Sequence, residues 1–145
     1  MEIRAIHHIC IQTATYPESL RFYTEVLGFE LVKQTQGFHG RLDSCWLRGG
    51  GIMIELQTAK EGTALHPWSS LNAGPVHFAL LVKDVQLAYE ELNRRGDLRF
   101  KVKNGQELYK VEGSYLFKLR APEGTEIEVR DSADISTPAT GDGGG

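Results

Sequence analysis

The segment PVHFALLVKDVQLAYEELNRRG, Pro75 to Gly96, has a counterpart earlier in the chain: AIHHICIQTATYPESLRFYTEVLG, Ala5 to Gly28. Each opens with apolar residues on alternate positions, Phe78, Leu80 and Val82 in one and Ile9 and Ile11 in the other. That two-residue period is the mark of a half-buried strand. Each then changes to a helical period. Val85, Ala88 and Leu92 form one apolar stripe, and Leu20, Tyr23 and Leu27 form the other. Asp84 suits the N-cap of the later helix, and Pro17 suits the first turn of the earlier one. Gly96 and Gly28 stand where a left-handed residue closes a helix.

Three further strands follow each helix. In the first half they are ELVKQT, RLDSCWLR and IMIELQT; in the second, RFKVK, YLFKLRA and TEIEVRD. Glycine-rich and Asn-Gly turns separate them. Both halves therefore read β-α-β-β-β, at about 4–57 and 75–131, joined by a linker at 58–74 that has no clear period. The expected fold is α+β, with two such modules in one domain, 1–133. The tail 134–145, rich in Gly, Thr and Pro, is expected to be disordered.

Composition excludes several classes. The chain has 145 residues and a net charge of −3, so no electrostatic case exists for nucleic acid or an anionic membrane. No apolar run approaches the roughly 20 residues of a spanning helix. The N-terminal stretch, broken by charge and histidine, does not read as a signal peptide. The two cysteines, Cys10 and Cys45, make no disulfide framework, and a reducing cytoplasm is the expected location. His39 and His66 read as surface loop residues. Trp68 and Leu65 in the linker suit a lid, a dimer contact or an ordinary packed loop.

Four side chains occupy equivalent places in the two copies. His8 and His77 lie in the first strands, Glu55 and Glu128 in the last. Neighbouring strand residues point to opposite faces. The apolar alternates face the helices, so His8 joins Cys10 and Gln12 on the other side, and His77 joins Ala79 and Leu81. Glu55 joins Met53 and Gln57; Glu128 joins Glu126 and Arg130. By the same alternation His7 packs at the helix–sheet edge. Two imidazoles and two carboxylates suit a divalent transition metal. Without a cation, two buried carboxylates would repel.

The motifs HHICI, SLRFYTEVLGFEL, IMIELQ, VHFALLVKDV and PEGTEIEV resemble those of the vicinal oxygen chelate superfamily, which includes glyoxalase I. The order His, Glu, His, Glu is most similar to glyoxalase I. The resemblance implies that the two modules form a curved mixed sheet around a metal-binding cavity, in a metal-dependent lyase or isomerase acting on vicinal oxygens, such as the hemithioacetal of methylglyoxal and a thiol. His8, Glu55, His77 and Glu128 would hold the metal, with Glu128 or Glu55 as the catalytic base and Glu128 favoured. Nickel and zinc lead the candidate metals, ahead of cobalt, manganese and iron. The partners it implies are a small-molecule substrate and, by analogy, a second copy of the chain in a homodimer. The site halves come from one chain or from two. Alternatives are an epimerase, a ring-cleaving dioxygenase, or a non-catalytic binding or resistance protein. Bacterial glyoxalase I usually carries an Asn that helps hold glutathione where this chain has Ala59, so the metal chemistry transfers better than thiol specificity.

Overall fold

β1 (His8–Gln12) pairs in parallel with β4 (Ile52–Gln57), which lies antiparallel to β3 (Asp43–Gly49); β3 in turn pairs with β2 (Glu30–Gln36). The second half repeats this plan. β5 (His77–Leu81) runs parallel to β9 (Glu126–Arg130), which pairs with β8 (Ser114–Arg120). The far edge of β8 is shared between β6 (Arg99–Phe100) and β7 (Tyr109–Val111). A parallel pair needs a crossover between its strands. α1 (Tyr16–Arg21) begins it in the first module and α2 (Val85–Asn93) in the second. The structure, a computed structural model, describes residues 1–135. It is α+β, with two mixed sheets in the predicted module order. The tail expected to be disordered lies, from residue 136 onward, outside the described residues.

The strand faces follow the sequence pattern. Ile11, Leu47, Ile54 and Leu56 of the first sheet are buried, as are Phe117, Leu119, Ile127 and Val129 of the second. They join one core cluster that spans both modules. Burying a side chain of this size stabilises by about 1.5–3 kcal/mol, which gives the alternation its authority over register.

Three local features differ from the sequence reading. The first helix is not α-helical throughout. After Arg21 it widens into a π-helical turn (Phe22–Val26), where the Leu27 amide donates to the Phe22 carbonyl at 3.1 Å. Thr24 Oγ1 donates back to the Leu20 carbonyl at 2.7 Å, a bond that competes with the regular ladder. The adjacent rings of Phe22 and Tyr23 in this turn are both buried. The strand read as RFKVK is shorter: pairing covers Arg99 and Phe100, and the chain then reverses at Asn104–Gly105, both at positive φ. It returns as β7, a strand the sequence reading did not place, and enters β8 through Glu112–Gly113, also both at positive φ. Asn-Gly is the expected chemistry for such a reversal; Glu-Gly is not.

The modules are tied by a polar clamp. Glu123, in the turn before β9, accepts from Ser19 Oγ at 2.8 Å and from the Tyr23 hydroxyl at 2.5 Å, both in the first module. Thr125 Oγ1 donates to the same carboxylate at 3.1 Å. The linker lies against the second module, with the Arg120 guanidinium 4.7 Å from the centre of the Trp68 ring. Trp68 is therefore part of a packed loop.

Candidate functional site

The face of each sheet away from its helix carries the residues of interest. On β1, His8, Cys10 and Gln12 are exposed while Ile11 is buried. On β5, His77, Ala79 and Leu81 are exposed while Phe78 and Leu80 turn inward. Glu55 stands opposite Cys10 on β4, and Glu128 opposite Ala79 on β9. The carboxylates thus reach diagonally to the histidines. His8 Nε2 lies 3.5 Å from Glu55 Oε2, and His77 Nε2 lies 3.8 Å from Glu128 Oε1.

These separations can be tested against a shared cation. Ligand atoms that each lie about 2.0–2.2 Å from one metal stand roughly 3–3.5 Å apart. The His8–Glu55 pair has that spacing, and the His77–Glu128 pair is slightly more open. Each module therefore presents one such pair on its open face. The structure does not bring the two pairs together within one chain: among the described residues, no three His, Cys, Asp or Glu side chains are grouped closely enough to hold a metal ion.

His7 requires a correction. It does not pack at the helix–sheet edge; it is exposed, with Nδ1 2.8 Å from Nδ1 of His8. The two rings stand edge to face, and both turn toward Trp46 of β3. Strand alternation governs residues within the ladder, and the strand begins at His8. The contact has a chemical consequence. For His8 Nε2 to offer a lone pair, Nδ1 must carry the proton, and His7 Nδ1 stands in position to accept it.

The second module surrounds its carboxylates with cations. Glu126 and Glu128 are buried, exposed to only 4% and 8%. Lys118 Nζ lies 3.8 Å from Glu128 and 3.6 Å from Glu126, and Arg130 Nη1 lies 3.8 Å from Glu128. Burial raises the Tyr109 hydroxyl above its ordinary pKa, and the negative charges of Glu126 and Glu128 push it the same way. Cys10 Sγ accepts from Gln57 Nε2 at 2.9 Å. Desolvation raises its pKa, Glu55 adds to the rise, and Arg41 opposes it. A thiol so held is a weak nucleophile at neutral pH. His39 and His66 are exposed and outside any candidate ligand group.

The two His–Glu pairs thus sit at equivalent places on a pair of βαβββ sheets. A model of the glyoxalase/bleomycin resistance protein/dioxygenase superfamily matches residues 5–129. The chain belongs to this superfamily. Within the superfamily, Glyoxylase I 4 of Arabidopsis thaliana is 24% identical over 96 residues, which cover 66% of this chain and 54% of that protein. The match thus spans about half of that relative's length. A glyoxalase family protein from Enterococcus faecalis aligns with a TM-score of 0.74 at 22% identity, over 90% of this chain and 100% of that one. TnmS3, an antibiotic binding protein from Streptomyces sp. CB03234, aligns with a TM-score of 0.63 at 16% identity, over 92% and 99% of the two chains. At such identities the likeness shows the superfamily fold, which serves more than one function.

The sequence reading of the site omitted Trp46, Tyr109 and Lys118, and it gave His7 and Arg130 no role. Trp46 and Lys118 stand opposite Glu55 and Glu128 in the antiparallel ladders, at equivalent positions of the two modules. The strand pattern places both on the open face, so their signal was present once the register was known. Tyr109 carried no such signal, because its strand is entered through an unusual turn.

Proposed function

We propose that this protein is a metal-dependent lyase or isomerase of the glyoxalase I type. Its substrate carries two neighbouring oxygens, as in the hemithioacetal of methylglyoxal and a thiol. The observation that carries this reading is the duplicated juxtaposition of a histidine Nε2 and a glutamate carboxylate, 3.5 and 3.8 Å apart, on the open face of each module. His8, Glu55, His77 and Glu128 would hold a divalent cation, with nickel or zinc the leading candidates. When bound, that cation supplies Lewis-acid polarisation of the substrate oxygens, which acidifies the adjacent C–H.

The chain's own residues do the rest. Glu128 removes the proton on one of its carboxylate oxygens and returns it to the neighbouring carbon. Glu55 remains a ligand, and His7 fixes the tautomer of His8. A second copy of the chain completes the site, so that His8 and Glu55 of one protomer meet the second-module pair of its partner. Leu81, on the face of His77, is exposed to 61% and becomes covered in that pairing.

The test uses tag-free protein. Metal analysis, followed by reconstitution of the apoprotein with Ni²⁺, Zn²⁺, Co²⁺ or Mn²⁺, should give thioester formation from methylglyoxal and a thiol. No turnover with any of these metals ends the assignment. One observation favours a second reading, a non-catalytic small-molecule binder: the donors of one chain meet only in pairs. That reading predicts ligand binding unchanged by chelation and by Glu128→Ala.

A further inference from the structure

The two half-sites share a histidine and a glutamate but have opposite surroundings. Around Glu55, the neighbouring open-face positions hold Trp46, Met53 and Gln57, none of them charged. Around Glu128, the equivalent positions hold Lys118, Glu126 and Arg130. Two more cations approach the same patch: Lys101 Nζ and Arg120 Nη2 lie 3.6 and 3.9 Å from Glu126. Four cations therefore face two buried carboxylates.

These contacts are ion pairs without hydrogen bonds. Lys118, Arg130, Lys101 and Arg120 all stand 3.6 Å or more from the carboxylate oxygens, beyond hydrogen-bond length. Arg130 Nε is buried and has no hydrogen-bond partner; it is the one such side-chain atom among the described residues. A buried N–H without an acceptor is uncommon and calls for an explanation. An excess of positive charge around two buried carboxylates, with Lys118 and Arg130 largely covered and a buried donor without an acceptor, is the electrostatic complement of an anion.

We infer that the second-module face receives an oxyanion. The substrate carries a carboxylate or phosphate group beside its reacting oxygens, held by Arg130 and Lys118 next to Glu128. Arg130 offers the planar fork that matches an oxyanion, and Lys118 adds a point charge. The apolar end of the substrate meets Trp46 and Met53 of the other half-site, a placement that rests on the proposed assembly of two half-sites. The substrate class is thus a small anionic compound with vicinal oxygens and an apolar substituent.

Calorimetry on the full-length, metal-free protein tests this with three probes: phenylpyruvate, phenyl phosphate and the neutral diketone 1-phenyl-1,2-propanedione. At least one anionic probe should bind tenfold or more tighter than the diketone, and the preference should fall with added salt. Which anion prevails distinguishes carboxylate from phosphate. Lys118→Gln with Arg130→Gln should reduce anion affinity to the level of the diketone, while Lys118→Arg with Arg130→Lys retains the preference. Anions bound no better than the diketone, or a preference surviving the neutral double variant, overturns the inference. Ni²⁺ titration of the same proteins separates this from the catalytic reading. No Ni²⁺ binding, with the anion preference intact, removes the metalloenzyme and supports the anion site.

Discussion

At the residue scale, His7 shows where a sequence pattern loses its authority. Alternation assigned His8 to the open face because Ile9 and Ile11 must be buried. It assigned His7 to the opposite side by parity alone; the His7 carbonyl accepts from the Met53 amide at 3.2 Å, but the residue precedes the strand and its ring turns toward His8 and Trp46. The 2.8 Å contact between the two Nδ1 atoms makes His7 a positioning residue for His8. His7→Ala should lower Ni²⁺ affinity about 10–100-fold, the usual cost of removing an outer partner of a histidine ligand. His7→Gln, which keeps a side-chain acceptor, should recover part of the loss. Calorimetric Ni²⁺ titration measures both. Unchanged affinity in the alanine variant would mean that His8 needs no such support.

At the element scale, the helix after β1 and the turn before β9 depend on each other. Helix and turn were both legible from Pro17, the apolar stripe and the Pro-Glu-Gly sequence. The π-helical turn and the clamp on Glu123 were not, since they arise from a contact between segments a hundred residues apart in sequence. Glu123→Ala leaves the buried Tyr23 hydroxyl without its acceptor, while Ser19 keeps Thr13 Oγ1 at 2.8 Å, and should cost about 1–3 kcal/mol of unfolding free energy. Glu123→Gln keeps an acceptor oxygen and should cost less than half of that; urea denaturation compares the two. The clamp also sets a pH dependence. Burial, then the charge of Glu123, raises the Tyr23 hydroxyl well above its ordinary pKa, so the folded state holds the proton that the unfolded chain releases near pH 10. This contribution is present in full below pH 10 and is lost as the pH rises beyond it. Unfolding free energies from pH 8 to 11 should fall less steeply in Tyr23→Phe than in the wild type. Parallel curves would count against a titrating Tyr23. The turn itself is intolerant of change. Gly124 has a φ of +101°, and a Cβ added there would lie 2.7 Å from Cβ of Trp68. Gly124→Ala combines backbone strain with that collision and should lower the melting temperature by about 3–7 °C, in line with about 1–2 kcal/mol for a domain of this size.

At the scale of the whole molecule, duplication made the architecture readable and also concealed how the site closes. Two copies of one strand–helix pattern determine two like sheets, and the equivalent positions within them determine where His8, Glu55, His77 and Glu128 point. Nothing in the spacing of a repeat says whether the half-sites close on each other or on a second chain, because that depends on how two complete modules pack. Subunit complementation decides it. A chain with His8→Ala and Glu55→Ala retains an intact second module, and a chain with His77→Ala and Glu128→Ala retains an intact first. Each alone should be inactive and should fail to bind Ni²⁺ tightly. If sites form between protomers, mixing equal amounts and allowing exchange gives heterodimers with one wholly intact site and one wholly lesioned site. Random pairing then restores about a quarter of wild-type Ni²⁺ capacity, because half of the dimers are mixed and each carries one of two sites. If each site closes within a chain, no mixture recovers any capacity, since every chain carries a lesion in its own site.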